Sequence, residues 1–278
     1  MARNGRDPVR TAISALDLRR ASSLEEALQI RRDEGRTPLA GATDLYVELN
    51  FGTLKTRRFL DLWALDELRH IQLIGDTLVL GAMTTWTAMI QSAVVADRLP
   101  MLIEAARLVG GVQIQNRGTL GGNIANGSPA GDSLPVLAAV DAVVVLRNVD
   151  AERRVPITEV YTGYRTTVLG PDELVVAVEI PAVEGTQYFR KVGTRAALAI
   201  SKVVFAAVRG PQPRIAIGSV APTVVRVRAT ERALAEGSHL EDAVGILERE
   251  IAPIDDLRST AAYRRRIAGN LLRRFWTS

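Results

Sequence analysis

The sequence predicts an α+β protein in two parts, and three observations carry that prediction. Strand-like and helix-like segments interleave through the first half, a glycine-rich polar stretch from Gly110 to Asp132 interrupts them, and the final third runs strands first and helices after. At 278 residues, 47% hydrophobic and 24% charged, the chain carries enough apolar material for a sizeable core, in one large domain or two ordinary ones.

Residues 1–14 read as a flexible arm. Ser22-Ser23-Leu24-Glu25-Glu26 then supplies an N-cap and an acidic first turn for a helix reaching about Arg32. The apolar segment 37–40 is strand-like and runs into Gly41-Ala42-Thr43-Asp44, a strand-to-turn junction. Residues 59–61 and 71–74 are strand-like; Gly75-Asp76 makes a tight turn and 77–80 resume as the partner strand of a hairpin. Thr84-Thr85 cap a helix reaching about Val94, and 99–108 have helical spacing of their apolar residues. Beyond the glycine-rich stretch, 141–146 read as a strand. Segments 173–180, 187–192, 203–208 and 214–220, separated by Gly and Pro, suggest one antiparallel sheet, with helices over 230–236, 240–249 and 259–275 on one face. The change of unit falls between Pro171 and Pro181, giving expected domains at 15–175 and 176–278.

The chain has no cysteine, which excludes disulfides, thiolate nucleophiles and cysteine-held iron–sulfur clusters. His70 and His239 are far apart and lack a partner at ligand spacing. Redox chemistry in this chain therefore has to come from an organic cofactor. The apolar run 134–146 is too short to span a membrane and contains Asp141, and no apolar stretch follows the basic N-terminus as in a secretory signal, so a cytoplasmic location is expected. The net charge of +4 is spread along the chain apart from Arg264, Arg265, Arg266, Arg273 and Arg274. With 5% aromatic residues there is little to stack on bases, which argues against nucleic acid and leaves a solvated helix face or a subunit contact for those arginines.

Two segments suit an anionic ligand held by main-chain groups. In Leu39-Ala40-Gly41-Ala42-Thr43-Asp44-Leu45, small side chains let backbone N–H groups converge on a pyrophosphate and Thr43 adds a hydroxyl; an ordinary tight turn with Asp44 as a helix cap is the alternative. The second segment runs from Gln115 to Asp132. Gly121-Gly122 removes Cβ atoms from a surface that a flat or charged ligand approaches, Asn123 and Asn126 supply amides, Thr119 and Ser128 hydroxyls, and Asp132 a carboxylate. The spacing is neither that of the dinucleotide fingerprint G-x-G-x-x-G nor that of a Walker A loop.

AGATDL, followed by QNRGTLGGNIANGSPAGDSLPVLAAVDA, closely resembles the FAD-binding subunit of the xanthine dehydrogenase and carbon monoxide dehydrogenase family of molybdenum hydroxylases. The resemblance continues through TGYRTTVLGPDELVVAVEIP, FRKVGTRAALAISKV and DDLRSTAAYRRRIAGNLLRR, nearly the whole chain after Ala15. It implies a two-part FAD-binding fold of the vanillyl-alcohol oxidase type followed by a smaller C-terminal α+β domain. By position, residues 39–45 would hold the pyrophosphate, and Thr119, Gly121, Gly122 and Asn123, with Asn126 just beyond, would line the other half of the cleft. Asp132 would contact the cofactor, Val175 would touch it through its backbone, and Lys191 would lie near the isoalloxazine, where a cation favours the reduced anionic ring. A solvated strand lysine is the other account of Lys191.

Departures from the family pattern are informative. Ala42 stands where a second glycine is usual, so that turn must tolerate a methyl group. The loop Gly193-Thr194-Arg195-Ala196-Ala197-Leu198-Ala199-Ile200 lacks the acidic residues xanthine dehydrogenases carry there, which leaves the electron acceptor open. The resemblance implies an electron-transfer role: a molybdopterin-binding large subunit acts on the substrate, a small subunit with two [2Fe-2S] clusters relays electrons to this FAD, and the assembly is a dimer of heterotrimers. A free-standing FAD-dependent oxidoreductase of the same fold, using Lys191 or Tyr164 on a small substrate, is the alternative.

Overall fold

The computed structural model describes residues 15–278, so the arm expected at 1–14 lies outside the described residues. The first unit is a three-stranded parallel sheet in the order β1-β3-β2. It comprises β1 (Asp17–Arg20), α1 (Leu24–Glu34), β2 (Thr37–Leu39), α2 (Leu45–Phe51) and β3 (Arg58–Asp61). Helix α1 starts where the sequence places it: the Ser23 hydroxyl accepts from Glu26 N, and Gly35 closes the helix at φ +60°. Its buried face, Leu24, Ala27, Leu28 and Ile30, has the three-to-four spacing that packs a helix on a sheet. Strand β1 is exposed along its whole length, so it carries no alternation by which sequence could reveal it.

The second unit is a five-stranded antiparallel sheet in the order β4-β5-β10-β6-β7. Its strands are β4 (Ile71–Ile74), β5 (Thr77–Gly81), β6 (Val143–Arg147), β7 (Glu152–Pro156) and β10 (Leu174–Ile180). The expected hairpin is β4–β5, with Gly75 at φ +58° in its turn. Strand β10 corrects the sequence reading. Grouped there with the C-terminal strands, it pairs instead with β5 and β6, so the boundary expected between 175 and 176 falls inside a strand, and the chain leaves this sheet only after Ile180. The physical reason is that β10 is buried on both faces: Val175, Val178 and Ile180 pack into the main core while Leu174, Val176 and Ala177 face the first unit. A continuous apolar run says "central strand" without saying of which sheet.

Between β5 and β6 lie α3 (Trp86–Gln91), α4 (Ala93–Arg98), α5 (Pro100–Arg107), α6 (Val112–Gln115), α7 (Leu120–Asn126) and α8 (Leu134–Ala139). The single helix expected to reach Val94 is two helices, because Ser92 ends the first and caps the second by accepting from Val95 N. A small hairpin, β8 (Tyr161–Gly163) and β9 (Thr166–Thr167), precedes β10.

The third unit is a four-stranded antiparallel sheet of β11 (Thr186–Val192), β12 (Val203–Arg209), β13 (Arg214–Gly218) and β14 (Val225–Arg226). Helices α9 (Arg228–Ala235), α10 (Leu240–Glu250) and α11 (Ala261–Thr277) follow, as the sequence pattern predicts. Strand β12 shows how the units join. Val203, Phe205 and Ala207 pack with the helical layer, whereas Val204, Ala206 and Val208 enter the core that α5 and α8 share with the five-stranded sheet. Each fully buried valine or phenylalanine there is worth roughly 1.5–3 kcal/mol, so the units are held as one body. No helix among the described residues is long and apolar enough to cross a membrane.

Candidate functional site

One cleft of about 1180 Å³ runs between the units. It exceeds the roughly 300–1,000 Å³ of sites for drug-sized ligands, which suits an extended ligand. Its walls bring together both segments singled out in the sequence.

The first wall is the turn from β2 into α2. Among the described residues, the main-chain amides of Gly41, Ala42, Thr43 and Asp44 donate to no protein acceptor. Unbonded amides in a row beside open space form an anion-binding concavity. Sterics fix the shape of the turn: a Cβ on Gly41 would overlap the main-chain carbonyl of Arg117, the point where the two segments touch. Ala42 sits at φ +64°, a left-handed conformation that costs any residue with a Cβ, so the methyl group is tolerated under strain. Asp44 occupies the N-cap position of α2 but makes no side-chain capping bond; its Oδ1 accepts from Asn126 Nδ2 at 3.3 Å.

The second wall is α7, a helix within the glycine-rich stretch to which the sequence pattern assigns no element. Thr119 is its N-cap, accepting from Gly122 N at 3.2 Å. The neighbouring amides are also engaged: Leu120 N donates to Thr84 O at 3.0 Å, Gly121 N to Ala82 O at 2.8 Å and Asn123 N to Thr119 O at 3.0 Å. The paired glycines therefore serve close packing. A Cβ on Gly121 would come within 2.7 Å of Ala82 Cβ, and one on Gly122 within 2.9 Å of Thr119 Oγ1. What this wall offers the cleft is the bare Gly122 surface and the side chains of Asn123 and Asn126, with the Asn123 Oδ1 anchored by the Ser133 hydroxyl at 2.7 Å.

Elsewhere in the cleft lies a buried ion pair. Lys191 Nζ, on β11, donates to Asp132 Oδ2 at 2.6 Å and to the Leu108 carbonyl at 3.2 Å, and both side chains are 8% exposed. Burial pushes the Asp132 carboxyl up to about 6, against the opposing pull of the Lys191 charge and hydrogen bond. Its other oxygen, Oδ1, is buried and has no hydrogen-bond partner among the described residues. Lys191 is thus not a solvated strand lysine.

Of the sequence-predicted site residues, Ala40, Gly41, Ala42, Thr43, Asp44, Leu45, Thr119, Gly122, Asn123, Asn126, Asp132 and Lys191 line this cleft. Leu39, Gly121 and Val175 do not. Leu39 pairs with Asp61 in the sheet, Gly121 packs on Ala82, and Val175 pairs with Leu146 near the start of β10, with its side chain in the core. Leu169 and Gly170, just upstream of β10, do line the cleft. Sequence reasoning also missed Arg31 and Arg165, lone cations with no local pattern to mark them. Arg264 corrects the reading of the basic cluster: it is 4% exposed and donates to Ser219 O at 2.7 Å, Lys202 O at 3.1 Å and Asp256 Oδ1 at 2.7 Å.

Residues 14–183 match the family described as the FAD binding domain in molybdopterin dehydrogenase, and residues 188–278 the CO dehydrogenase flavoprotein C-terminal domain. The chain belongs to this flavoprotein family. It is 34% identical over 247 residues to the carbon monoxide dehydrogenase medium chain of Hydrogenophaga pseudoflava, covering 85% of this chain and 86% of that one. It is 31% identical over 261 residues to the xanthine dehydrogenase FAD-binding subunit of Escherichia coli, covering 88% and 89%. Carbon monoxide dehydrogenase from Hydrogenophaga pseudoflava, solved in a form lacking the Mo-pyranopterin moiety of its cofactor, superimposes with a TM-score of 0.87 at 31% identity over 93% of this chain and 95% of that one. The join between the two family regions, 184–187, falls after β10 and runs into the first two residues of β11, so both regions respect the strand pairing.

Proposed function

We propose that this chain is the FAD-carrying electron-transfer subunit of a molybdenum hydroxylase and that its cleft holds one FAD, with the pyrophosphate on the amides of Gly41, Ala42, Thr43 and Asp44. The observation that carries the reading is that row of unbonded donors, in one cleft with the orphaned Asp132 oxygen and the buried Lys191 charge. A dinucleotide suits both: phosphates need donors at one place, and a ring system with polar edges can give Asp132 Oδ1 the hydrogen bond it lacks. Bound there, FAD supplies the redox chemistry.

The chain's own residues bind, orient and shield. Gly122 and Asn123 give a close wall and an oriented amide; Asp132 holds Lys191 Nζ in place, and Lys191 sets a positive charge beside the flavin ring. Leu39 and Gly121 support these groups from behind. The pair of sheets flanking the cleft supports a two-part fold of the vanillyl-alcohol oxidase type. With no cysteine in the chain, iron–sulfur clusters belong on a small partner subunit and the molybdenum cofactor on a large one, as a dimer of heterotrimers acting in the cytoplasm.

Co-purification from the native host tests the assignment. The expected result is a complex containing a cysteine-rich small chain and a large molybdopterin chain. A chain that purified alone and turned over an organic substrate at full rate would defeat it.

A further inference from the structure

The β8–β9 hairpin borders the cleft and is fastened to the end of α7. The Tyr161 hydroxyl donates to the Ile124 carbonyl at 3.1 Å, and a Cβ on Gly127, the glycine that ends α7, would stand 3.2 Å from the Tyr161 ring and 3.5 Å from Arg165 Cα. At the hairpin tip Arg165 adopts φ +52°, a conformation that side chains as large as arginine rarely take up without a compensating contact. The contact is a relay. Arg165 Nη1 donates to Asn126 Oδ1 at 2.8 Å, and Asn126 Nδ2 donates in turn to Asp44 Oδ1 at 3.3 Å. One side-chain amide thus carries the guanidinium to the mouth of the turn whose amides are unbonded. The relay hydrogen-bonds Arg165 to an amide oxygen and not to a carboxylate, so although its charge also acts on the nearby Asp44 carboxyl, most of its N–H donors are left for a ligand.

The charges around the turn give that cation a task. Asp44 and Glu48 also line the cleft there, while Asp132, Glu173 and Asp256 are each paired with a cation of their own. A phosphate on the turn would meet two carboxylates, and Arg165 and Arg31 are the cleft-lining cations not in ion pairs among the described residues. Resting on the FAD reading above, we infer that Arg165 is a phosphate-binding residue: the hairpin brings its guanidinium to the turn whose main-chain amides would hold the pyrophosphate. Charge-assisted, forked hydrogen bonds to phosphate are what this side chain makes best.

The test is binding of FAD, ADP and riboflavin to the full chain stripped of flavin, for wild type, Arg165→Asn and Arg165→Lys. Asparagine tolerates the left-handed backbone, so Arg165→Asn removes the charge without new strain. Arg165→Asn is expected to weaken FAD and ADP binding by roughly ten- to a hundredfold and to leave riboflavin within about twofold. Arg165→Lys should recover part of the loss, and if Arg165→Asn fails to fold it should itself show a smaller loss of FAD and ADP affinity with riboflavin unchanged, an equal loss for riboflavin or none for FAD and ADP overturning the inference. Unchanged ADP and FAD affinity in Arg165→Asn, or an equal loss for riboflavin, overturns the inference. A wild-type chain that bound ADP through Arg165 but no FAD would overturn the flavin reading and leave the phosphate clamp standing; one that bound neither would end both.

Discussion

The two walls of the cleft look alike in sequence, each a run of small residues at a turn, and they work by different means. At Gly41-Ala42-Thr43-Asp44 the main chain is unsatisfied and available, whereas at Thr119-Leu120-Gly121-Gly122-Asn123 every amide after the cap residue already has a protein acceptor. Glycine in the first wall clears room for donors; glycine in the second clears room for a helix to press against Ala82, and the ligand meets side chains instead. Small-residue motifs are therefore ambiguous until the destination of their N–H groups is known.

The contrast can be broken most sharply at Gly41. Because a Cβ there collides with main chain and not with a flexible tip, Gly41→Ala should cost at least about 3 kcal/mol in a denaturant melt and abolish FAD uptake together with stability. Full FAD binding by a stable Gly41→Ala chain would show that the two walls do not meet as described. A second effect belongs to the buried pair. Between about pH 4 and pH 6 the folded chain holds a proton on Asp132 that the unfolded chain releases, so this site's contribution to stability falls as pH rises through that window and levels off above it. Asp132→Asn should remove that slope, on the order of 2 kcal/mol, measurable by urea melts at about pH 4 and about pH 7. An unchanged slope would mean that Asp132 is not the titrating group.

Smaller changes sharpen the picture of each wall. Thr119→Ala removes the cap of α7 and should cost about 1 kcal/mol while moving FAD affinity little, since the hydroxyl already serves Gly122 N. A large loss of affinity at unchanged stability would instead make Thr119 a direct ligand. Ala42→Gly relieves a left-handed backbone worth about 1–2 kcal/mol but returns entropy to the unfolded chain, for a net gain of a few tenths of a kcal/mol in thermal melts. A net loss would show that the Ala42 methyl is held by packing.

Much of this was legible in the residues, for physical reasons that also mark where reading fails. Caps and hairpins are local: Ser23, Thr85 and Gly75 each announce their element and each performs it. Sheet membership is not local. Strand β10 reads as a strand in any context, and only its pairing with β5 and β6 settles that the first domain keeps it. Helix α7 was hidden because paired glycines disfavour helix, and it is contact with Ala82, far away in sequence, that makes them fit. The site divides in the same way. Its main-chain turn, Asp132 and Lys191 could each be placed through the family resemblance, whereas the pairing of the last two comes only with the fold, and Arg165, Arg31 and the Leu108 carbonyl arrive from separate elements as single groups. Arg264 was misread as surface because a buried arginine satisfied by carbonyls leaves no mark on a helical charge pattern.

The most direct measurement is the flavin content of the full chain, by absorption spectrum and cofactor release, before and after incubation with excess FAD. The account predicts a yellow protein that saturates at one FAD for each chain and does not exchange it for riboflavin. A folded chain that stayed colourless under those conditions would contradict it.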